Sequence, residues 1–426
     1  MVITMPRGTQ DILPEESKKW QYIEEKLRKI SDSFCYEEIR TPMFESTELF
    51  SRGVGDTTDI VQKEMYTFMD KGNRSITLRP EGTAGTVRSY IENKLFAKTI
   101  QPQKLYYVGP MFRYERKQKG RYRQFVQYGV EVIGEESPKI DAEVISLAYN
   151  IYKSFGIKNI KVSINSLGNP EERQAYNEAL VKHFEPRINE FCEDCNNRLY
   201  KNPMRILDCK VDAEHELIKN APKLLEYLGE ESKQYFAEVL RHLDALGVKY
   251  EVDHNLVRGL DYYTHTAFEI MIDNSEVELK TLCGGGRYNG LIKLLDGPED
   301  KKGIGFALSI ERLLLALESE NIELPIDDTI DAFVVAMGEK AGDAGVKLTN
   351  DLRLAGYKVQ SDYFDKKMKA QMKLADRYNA KFSIIIGDSE LENGQYVVKD
   401  MKTYDQENVE FDNIVKYLEE KLKGEK

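Results

Sequence analysis

Residues 104–134 read KLYYVGPMFRYERKQKGRYRQFVQYGVEVIG. Aromatic and β-branched residues fill both ends, and a basic segment containing a glycine joins them. The pattern predicts a long hairpin: a strand over Leu105–Arg116, a joint over Lys117–Arg123 around Gly120, and a strand over Gln124–Ile133. Successive strand side chains point to opposite faces. One face carries Tyr106, Val108, Phe112, Tyr114, Val126, Tyr128, Val130 and Val132, and should meet the core. The other carries Arg113, Glu115, Gln127 and Glu131, with Gly129 among them. A face turned to water would hold scattered Lys, Thr and Ser instead. Carboxylates, a guanidinium and an amide beside a residue without a side chain suit the floor of a polar pocket. They would equally suit a buried ion-pair network, and alternation alone leaves both readings open.

At 426 residues the chain exceeds what one hydrophobic core usually serves, so two or three domains are expected. Hydrophobic residues at 41% and charged residues at 31% fit a globular protein and exclude a disordered or fibrous one. No apolar run approaches the ~20 residues of a membrane-spanning helix, so no membrane partner is expected. The first residues, MVITMPRGTQDILPEE, lack the apolar stretch of a secretory signal. Five cysteines cannot all pair, which points to a reducing cytoplasm. A net charge of −11 argues against non-specific nucleic-acid binding but leaves room for a specific RNA, whose footprint is local. The hairpin joint is one such footprint: Arg113, Arg116, Lys117, Lys119, Arg121 and Arg123 stand against a single acid, Glu115. It would also serve simply as a solvated basic loop.

Apolar residues at three- and four-residue spacing predict a helix over Pro14–Phe34, with a strand over Tyr36–Arg40 after it. Gly53 and Gly55 within Leu49–Phe68 predict a mobile loop. A strand over Ser75–Arg79 leads through Pro80, Glu81 and Gly82 to a helix over Ala84–Phe96, which Thr83 is placed to cap. A helix is expected over Asp141–Phe155, a strand over Lys161–Leu167, and helices through residues 171–246. Arg258 precedes a β-rich run to Ile272. Gly284, Gly285 and Gly286 lie in line, where a strand can bend or a ligand can approach the backbone. Ser309 is a candidate cap for a helix whose first turn holds Arg312; a cation there opposes the helix dipole and is better explained by a bound anion. After a polar linker at Glu318–Asp328, strands alternate with helices, the last helix running over about Asn408–Lys423. This predicts a small α/β domain with a largely parallel sheet, one helix of which carries Lys366, Lys367, Lys369, Lys373 and Arg377. Cys192-x-x-Cys195 and then Cys209, with His183 and His215 nearby, have elements of a metal site. No second tight pair completes it, so reduced thiols are expected and zinc is not.

Three stretches, FRYERKQKGRYRQFVQYGVEVIG (112–134), LVRGLDYY (256–263) and LCGGGRYNGL (282–291), together resemble the histidyl-tRNA synthetase family of class II aminoacyl-tRNA synthetases. The similarity runs from MPRGTQDILP near the N-terminus into the C-terminal region. It implies an α/β mixed (α+β) fold. Residues 1–325 would form a catalytic domain on an antiparallel sheet, with a helical insertion near 171–246. Residues 326–426 would form an α/β anticodon-binding domain. The implied reaction converts L-histidine and ATP to histidyl-adenylate and pyrophosphate, then moves histidine to the 3′ end of tRNA(His). The implied enzyme is a cytoplasmic homodimer. By the same likeness Glu81, Thr83 and Gln127 take the amino group of histidine and Glu131 and Tyr263 its imidazole, with Tyr262 adjacent and Gly82 also among the histidine-binding residues. Arg113 and Arg258 would be catalytic, with Arg258 also touching histidine. Arg113, Glu115 and Arg312 would hold ATP, while Arg116, Gln118 and Arg123 would meet the acceptor end of the tRNA. Magnesium is expected with ATP, without a cage made wholly of protein ligands. A regulatory relative without activity is disfavoured because Arg258, the glycine run and the C-terminal region are all present. A synthetase for another amino acid is disfavoured by RGLDYY and LCGGGRYNGL.

Overall fold

The hairpin forms with a shorter first strand than alternation predicts. Gln103–Phe112 and Gln124–Ile133 pair antiparallel, with Leu105 opposite Glu131 and Phe112 opposite Gln124. Beyond one further backbone bond, from Arg113 to Arg123, the two chains part because each finds another partner. The Tyr114 N–H donates to the Glu64 carbonyl and the Arg123 N–H to the Gly8 carbonyl, both at 2.7 Å. This computed structural model describes residues 3–55, 58–115, 119–260, 262–272 and 280–423. The chain divides into two units, Met1–Leu324 and Pro325–Lys426.

The strands of the first unit are β1 (Glu37–Glu38), β2 (Phe44–Ser46), β3 (Tyr66–Met69), β4 (Ser75–Leu78), β5 (Gln103–Phe112), β6 (Gln124–Ile133), β7 (Ile160–Ser166), β8 (Tyr250–Val252), β9 (Thr264–Ile272), β10 (Thr281–Arg287) and β11 (Gly303–Ser309). Eight of them build one sheet in the order β1-β5-β6-β11-β10-β9-β7-β8. Every neighbouring pair is antiparallel except β1/β5 and β7/β8 at the two edges. A separate small sheet has the order β2-β4-β3.

Helices cover one face of the large sheet. Tyr128, Val130 and Val132 of β6 pack with Ile145, Leu147 and Tyr152 of the helix Pro138–Ser154 and with Ile23 and Leu27 of the helix Pro14–Ser33. Each fully buried aliphatic side chain there contributes about 1.5–3 kcal/mol. The Tyr128 hydroxyl meets that of Ser31 at 2.7 Å, so the one polar atom this ring buries is satisfied. Phe236, Val239 and Leu243 of the helix Glu230–Ala245 join the same core. The helical stretch 171–246 is therefore not uniform: its end packs on the main sheet, while Tyr176, Leu180, Phe184 and Leu199 belong to a second core.

Among the described residues of Leu49–Phe68, most are not loop. The stretch holds the helix Thr47–Val54, a π-type turn Ile60–Glu64 and the start of β3, because Leu49, Phe50 and Val54 recur at helical spacing and pack against Ala84 and Ile60.

In the second unit the strands are β12 (Ile330–Ala336), β13 (Val359–Ser361), β14 (Ala380–Ile386), β15 (Gln395–Asp400) and β16 (Gln406–Glu410), in the order β13-β12-β14-β15-β16. The first three run parallel and the last two antiparallel. The closing helix is shorter than predicted, Ile414–Leu422. Its expected first turn is β16 instead, since Val409 buries itself opposite Tyr396 of β15. No helix among the described residues is long and apolar enough to cross a membrane.

Candidate active site

The face of β5, β6, β9, β10 and β11 that the helices leave bare opens into a cavity of about 390 Å³. Nine of the residues singled out from sequence line it: Glu81, Thr83, Arg113, Glu115, Gln127, Arg258, Tyr262, Tyr263 and Arg312. Residues more than two hundred positions apart therefore meet: Gln127 stands on β6 itself, while the loops and helix starts around the sheet bring the other eight to the same cavity.

One end is built from hydroxyls and carboxyls. The Glu81 carboxylate accepts the backbone N–H groups of Thr83 (2.6 Å) and Ala84 (2.9 Å), at the start of the helix Thr83–Glu92. Glu81 is thus the group that satisfies the helix terminus, and Thr83, expected to cap it, is freed for another task. The Thr83 hydroxyl donates to Glu131 at 2.7 Å, and the Tyr288 hydroxyl donates to the other Glu131 oxygen at 2.6 Å. Burial pushes the Glu131 carboxyl up to about 8, against the pull of these hydroxyls. Burial likewise raises Glu81, partly offset by its backbone donors. Tyr262 and Tyr263 stand beside them with ring centroids 4.8 Å apart. The Gln127 Oε1 atom is buried without a hydrogen-bond partner in the protein, which marks it as an acceptor awaiting a ligand.

The other end is cationic. The Arg113 Nε donates to the Pro80 carbonyl at 2.8 Å, and its guanidinium lies 5.4 Å from the centre of the Phe125 ring. Glu115 sits between Arg113 (3.9 Å) and Arg121 (3.4 Å). Arg258 pairs with Glu269 of β9, which also accepts the Thr281 hydroxyl at 2.9 Å. Arg312 donates to the Thr281 carbonyl at 2.9 Å, and its N–H is capped by the Ser309 hydroxyl as predicted. Burial lowers the Arg312 pKa, and the neighbouring charges of Arg121 and Arg113 lower it further. Four guanidiniums lining one cavity, with Arg258 also 5.6 Å from the centre of the Tyr263 ring and so between the cavity's two ends, suit a multiply charged anion.

Several expectations are corrected here. Gly129 does not open the pocket: the Tyr107 ring, from the directly opposed position on β5, lies across it and also against Gly82. Gly82 itself is buried and does not line the cavity. Glu131 does not line it either; it lies behind Thr83 and Tyr288, both of which do. The glycine run serves side chains and sheet: Gly284 makes room for the Arg258 guanidinium, and Gly285 for the carbonyl of Gly305 on β11. Arg123, expected at the tRNA and not in the cavity, does not line it: its guanidinium stacks 3.7 Å over the Tyr114 ring, with Nη1 donating to the Arg7 carbonyl at 3.4 Å. Arg116 and Gln118 lie outside the described residues.

The cavity also contains residues the sequence did not single out, chiefly Tyr107, Phe125, Glu269 and Tyr288. Phe125 and Tyr107 were recoverable, since they share the polar face of their strands with Gln127 and Glu131. A lone acid in the apolar run THTAFEIMI was the available signal for Glu269.

A histidyl-tRNA synthetase family model matches residues 8–313, and an anticodon-binding-domain model matches residues 331–421. A histidine–tRNA ligase of Staphylococcus haemolyticus (strain JCSC1435) is 62% identical over 422 residues, covering 99% of this chain and 100% of that protein. One of Staphylococcus aureus (strain JH9) is 62% identical over 419 residues, covering 98% and 100%. The crystal structure of apo S. aureus histidyl-tRNA synthetase matches with a TM-score of 0.84 at 56% identity, covering 98% of this chain and 100% of that one. Histidyl-tRNA synthetase from Nostoc sp. PCC 7120, 22% identical, shares the fold with a TM-score of 0.69. The hairpin, the Arg258 loop and the glycine strand build one site, and a family model spans all three. This chain belongs to the histidyl-tRNA synthetase family.

Proposed function

We propose that the cavity joins L-histidine and ATP into histidyl-adenylate, releasing pyrophosphate, and that the histidyl group then passes to the 3′ end of tRNA(His). The observation that carries this is the convergence of Arg113, Arg121, Arg258 and Arg312 on one cavity whose other end is walled by tyrosines, Glu81 and Gln127. A histidine carboxylate oxygen attacks the α-phosphorus, the bond from that phosphorus to the bridging oxygen breaks, and pyrophosphate leaves with the electron pair. The nucleophile is already ionised, so the protein supplies no base. It must hold two anions together and absorb the charge that grows on the phosphate.

Arg113 and Arg258 are assigned to the carboxylate and the α-phosphate, since a guanidinium fork matches either oxyanion. Arg312 is assigned to the terminal phosphates. Glu115 either receives the adenine or fixes the loop, and its ion pairs with Arg113 and Arg121 favour the second role. Glu81, Thr83 and Gln127 offer acceptors to the α-ammonium group. Tyr262 and Tyr263 flank the imidazole, and Glu131 accepts hydrogen bonds from the hydroxyls of Thr83 and Tyr288, leaving those two oxygens as acceptors for a ring N–H.

Of the carboxylates lining the cavity, Glu81 serves a helix terminus, Glu115 and Glu269 pair with arginines, and Asp208 lies 3.9 Å from Arg205. That donor set would suit a magnesium ion brought in on the phosphates of ATP, with Glu115 and Glu269 as the protein carboxylates available to hold it. Such an ion would neutralise charge on the departing pyrophosphate.

For tRNA, acceptor-end contact is assigned to Arg116, Gln118, Arg123 and the 171–246 region, and anticodon contact to residues 326–426. In the second unit Tyr363 and Phe364 are exposed beside exposed Lys367, Lys369, Lys373 and Arg377, the pairing of aromatic faces and cations that unstacked bases favour. The protein is read as a cytoplasmic homodimer. Pyrophosphate exchange with each of the twenty amino acids, followed by charging of tRNA(His), tests the proposal. Exchange with histidine alone is expected; exchange with another amino acid, or with none, overturns it.

A further inference from the structure

Between the helices Pro170–Phe184 and Glu230–Ala245 the chain has little regular structure to hold it. Its helices Glu185–Glu190, Glu193–Arg198, Pro203–Ile206, Glu216–Lys219 and Leu224–Glu226 are none longer than 6 residues. The segment shares a hydrophobic core, including Phe191, Leu199, Ile206 and Leu224, in which Cys195 and Cys209 are themselves buried. In the middle of the segment, the Sγ atoms of Cys192, Cys195 and Cys209 and a carboxylate oxygen of Asp212 all lie within 4.8 Å of one another. Cys195 and Cys209 are buried, and Cys192 and Asp212 are half-buried.

The spacing rules out a disulfide and fits a zinc ion, and the carboxylate set among the three sulfurs is what packed thiols alone would not require. The Sγ atoms of Cys192 and Cys209 are 3.7 Å apart, and Cys209 Sγ is 3.3 Å from Asp212 Oδ2. A disulfide brings sulfurs to about 2.05 Å. Around a tetrahedral ion with Zn–S bonds near 2.3 Å, neighbouring sulfurs stand about 3.8 Å apart. The missing second pair is also present in the sequence, as Cys209-x-x-Asp212, which ends in a carboxylate and so escapes a search for Cys and His. The expectation of plain reduced thiols is revised accordingly.

We propose that Cys192, Cys195, Cys209 and Asp212 bind one zinc ion as a closed structural site. Three thiolates select a soft or borderline ion over magnesium or calcium, and four protein ligands leave no position open for chemistry. The ion clamps residues seventeen apart in the chain. It thereby braces the rim of the cavity: Asp208 and Lys210, which flank Cys209, both line it. Arg205, a few residues earlier, donates to the Arg258 carbonyl at 3.4 Å.

The test is metal analysis of the full-length protein purified without chelators or a metal-affinity column. About one zinc per chain is expected, lost in Cys209→Ala and Asp212→Ala but kept in Asp212→Cys, which retains four ligands. Removing the ion with phenanthroline should lower the Tm of the wild type, and adding cobalt(II) to the stripped protein should produce the visible absorption of a tetrahedral thiolate complex. These two wild-type readouts hold even where a variant fails to fold. Zinc well below stoichiometric, with no cobalt spectrum, would overturn the proposal if denatured protein titrates all 5 cysteines as free thiols. So would a loss of two thiols to a Cys192–Cys209 disulfide.

Discussion

Arg258 occupies the place where two opposing demands meet. Burial works against its charge, and only the paired Glu269 carboxylate together with Tyr263, Cys283 and Tyr262 more than offsets it, while Gly284 leaves room for the guanidinium beneath it. Its Nε still has no hydrogen-bond partner. Replacing Arg258 with alanine should cut histidine-dependent pyrophosphate exchange by about 10²–10³, the usual loss when one preorganised donor at a developing oxyanion is removed. Exchange near the wild-type rate in a folded variant would remove Arg258 from the chemistry. Glu131 makes a prediction in pH. Its folded value of about 8 lies above the ordinary 4.5, so its contribution to stability is complete below the ordinary value and is lost as pH rises through about 8. Glu131→Gln has no proton to lose. The Tm of wild type should therefore fall relative to that of the variant across this window, and a gap independent of pH would show that Glu131 titrates normally. Glu131→Ala should also weaken histidine binding while ATP binding changes little; normal histidine affinity in a destabilised variant would confine Glu131 to folding.

At the scale of elements, one buried ion pair joins pieces that hydrophobic packing alone would leave free to slide. Arg287 ends β10 and is fully buried, as is Asp141 in the first turn of the helix Pro138–Ser154. The Arg287 Nε donates to Asp141 at 3.1 Å and to the Tyr235 hydroxyl at 2.9 Å, and Thr266 of β9 donates to the same carboxylate at 2.6 Å. Two strands and two helices thus share one charge network. Removing one partner strands the other charge in the interior, so Asp141→Ala should cost about 3–5 kcal/mol in chemical denaturation. Replacing a merely exposed pair such as Lys347–Asp351 should cost at most about 1 kcal/mol, and equal losses at both sites would refute the buried network.

At the scale of the whole molecule, each unit has its own core. Val334, Ile384 and Leu418 belong to the second, and none of the residues lining the cavity lies beyond Leu324. A chain ending at Leu324 should still exchange pyrophosphate with histidine, while charging of tRNA falls on the order of 10² for want of the second contact. Parallel loss of both activities would show that the division of labour is wrong.

Periodicity along the chain was enough to determine the hairpin, the amphipathic helix from Pro14, the Ser309 cap and the α/β character of the second unit, because each depends on neighbours a few residues apart. Three motifs read together also determined the family. Alternation names a face but not what lies across from it. It placed Glu131 on the polar side of β6 correctly, yet only the pairing of strands shows Tyr107 lying over Gly129, and Tyr288, 157 residues later in the chain, closing over the carboxylate. The same limit hid Glu269 as the partner of Arg258 and Asp212 as the fourth member of the cysteine cluster. Side chains far apart in sequence are brought within hydrogen-bonding distance only by the fold. Their depth and their partners, and with them the raised pKa of Glu131, were therefore decided by tertiary structure alone.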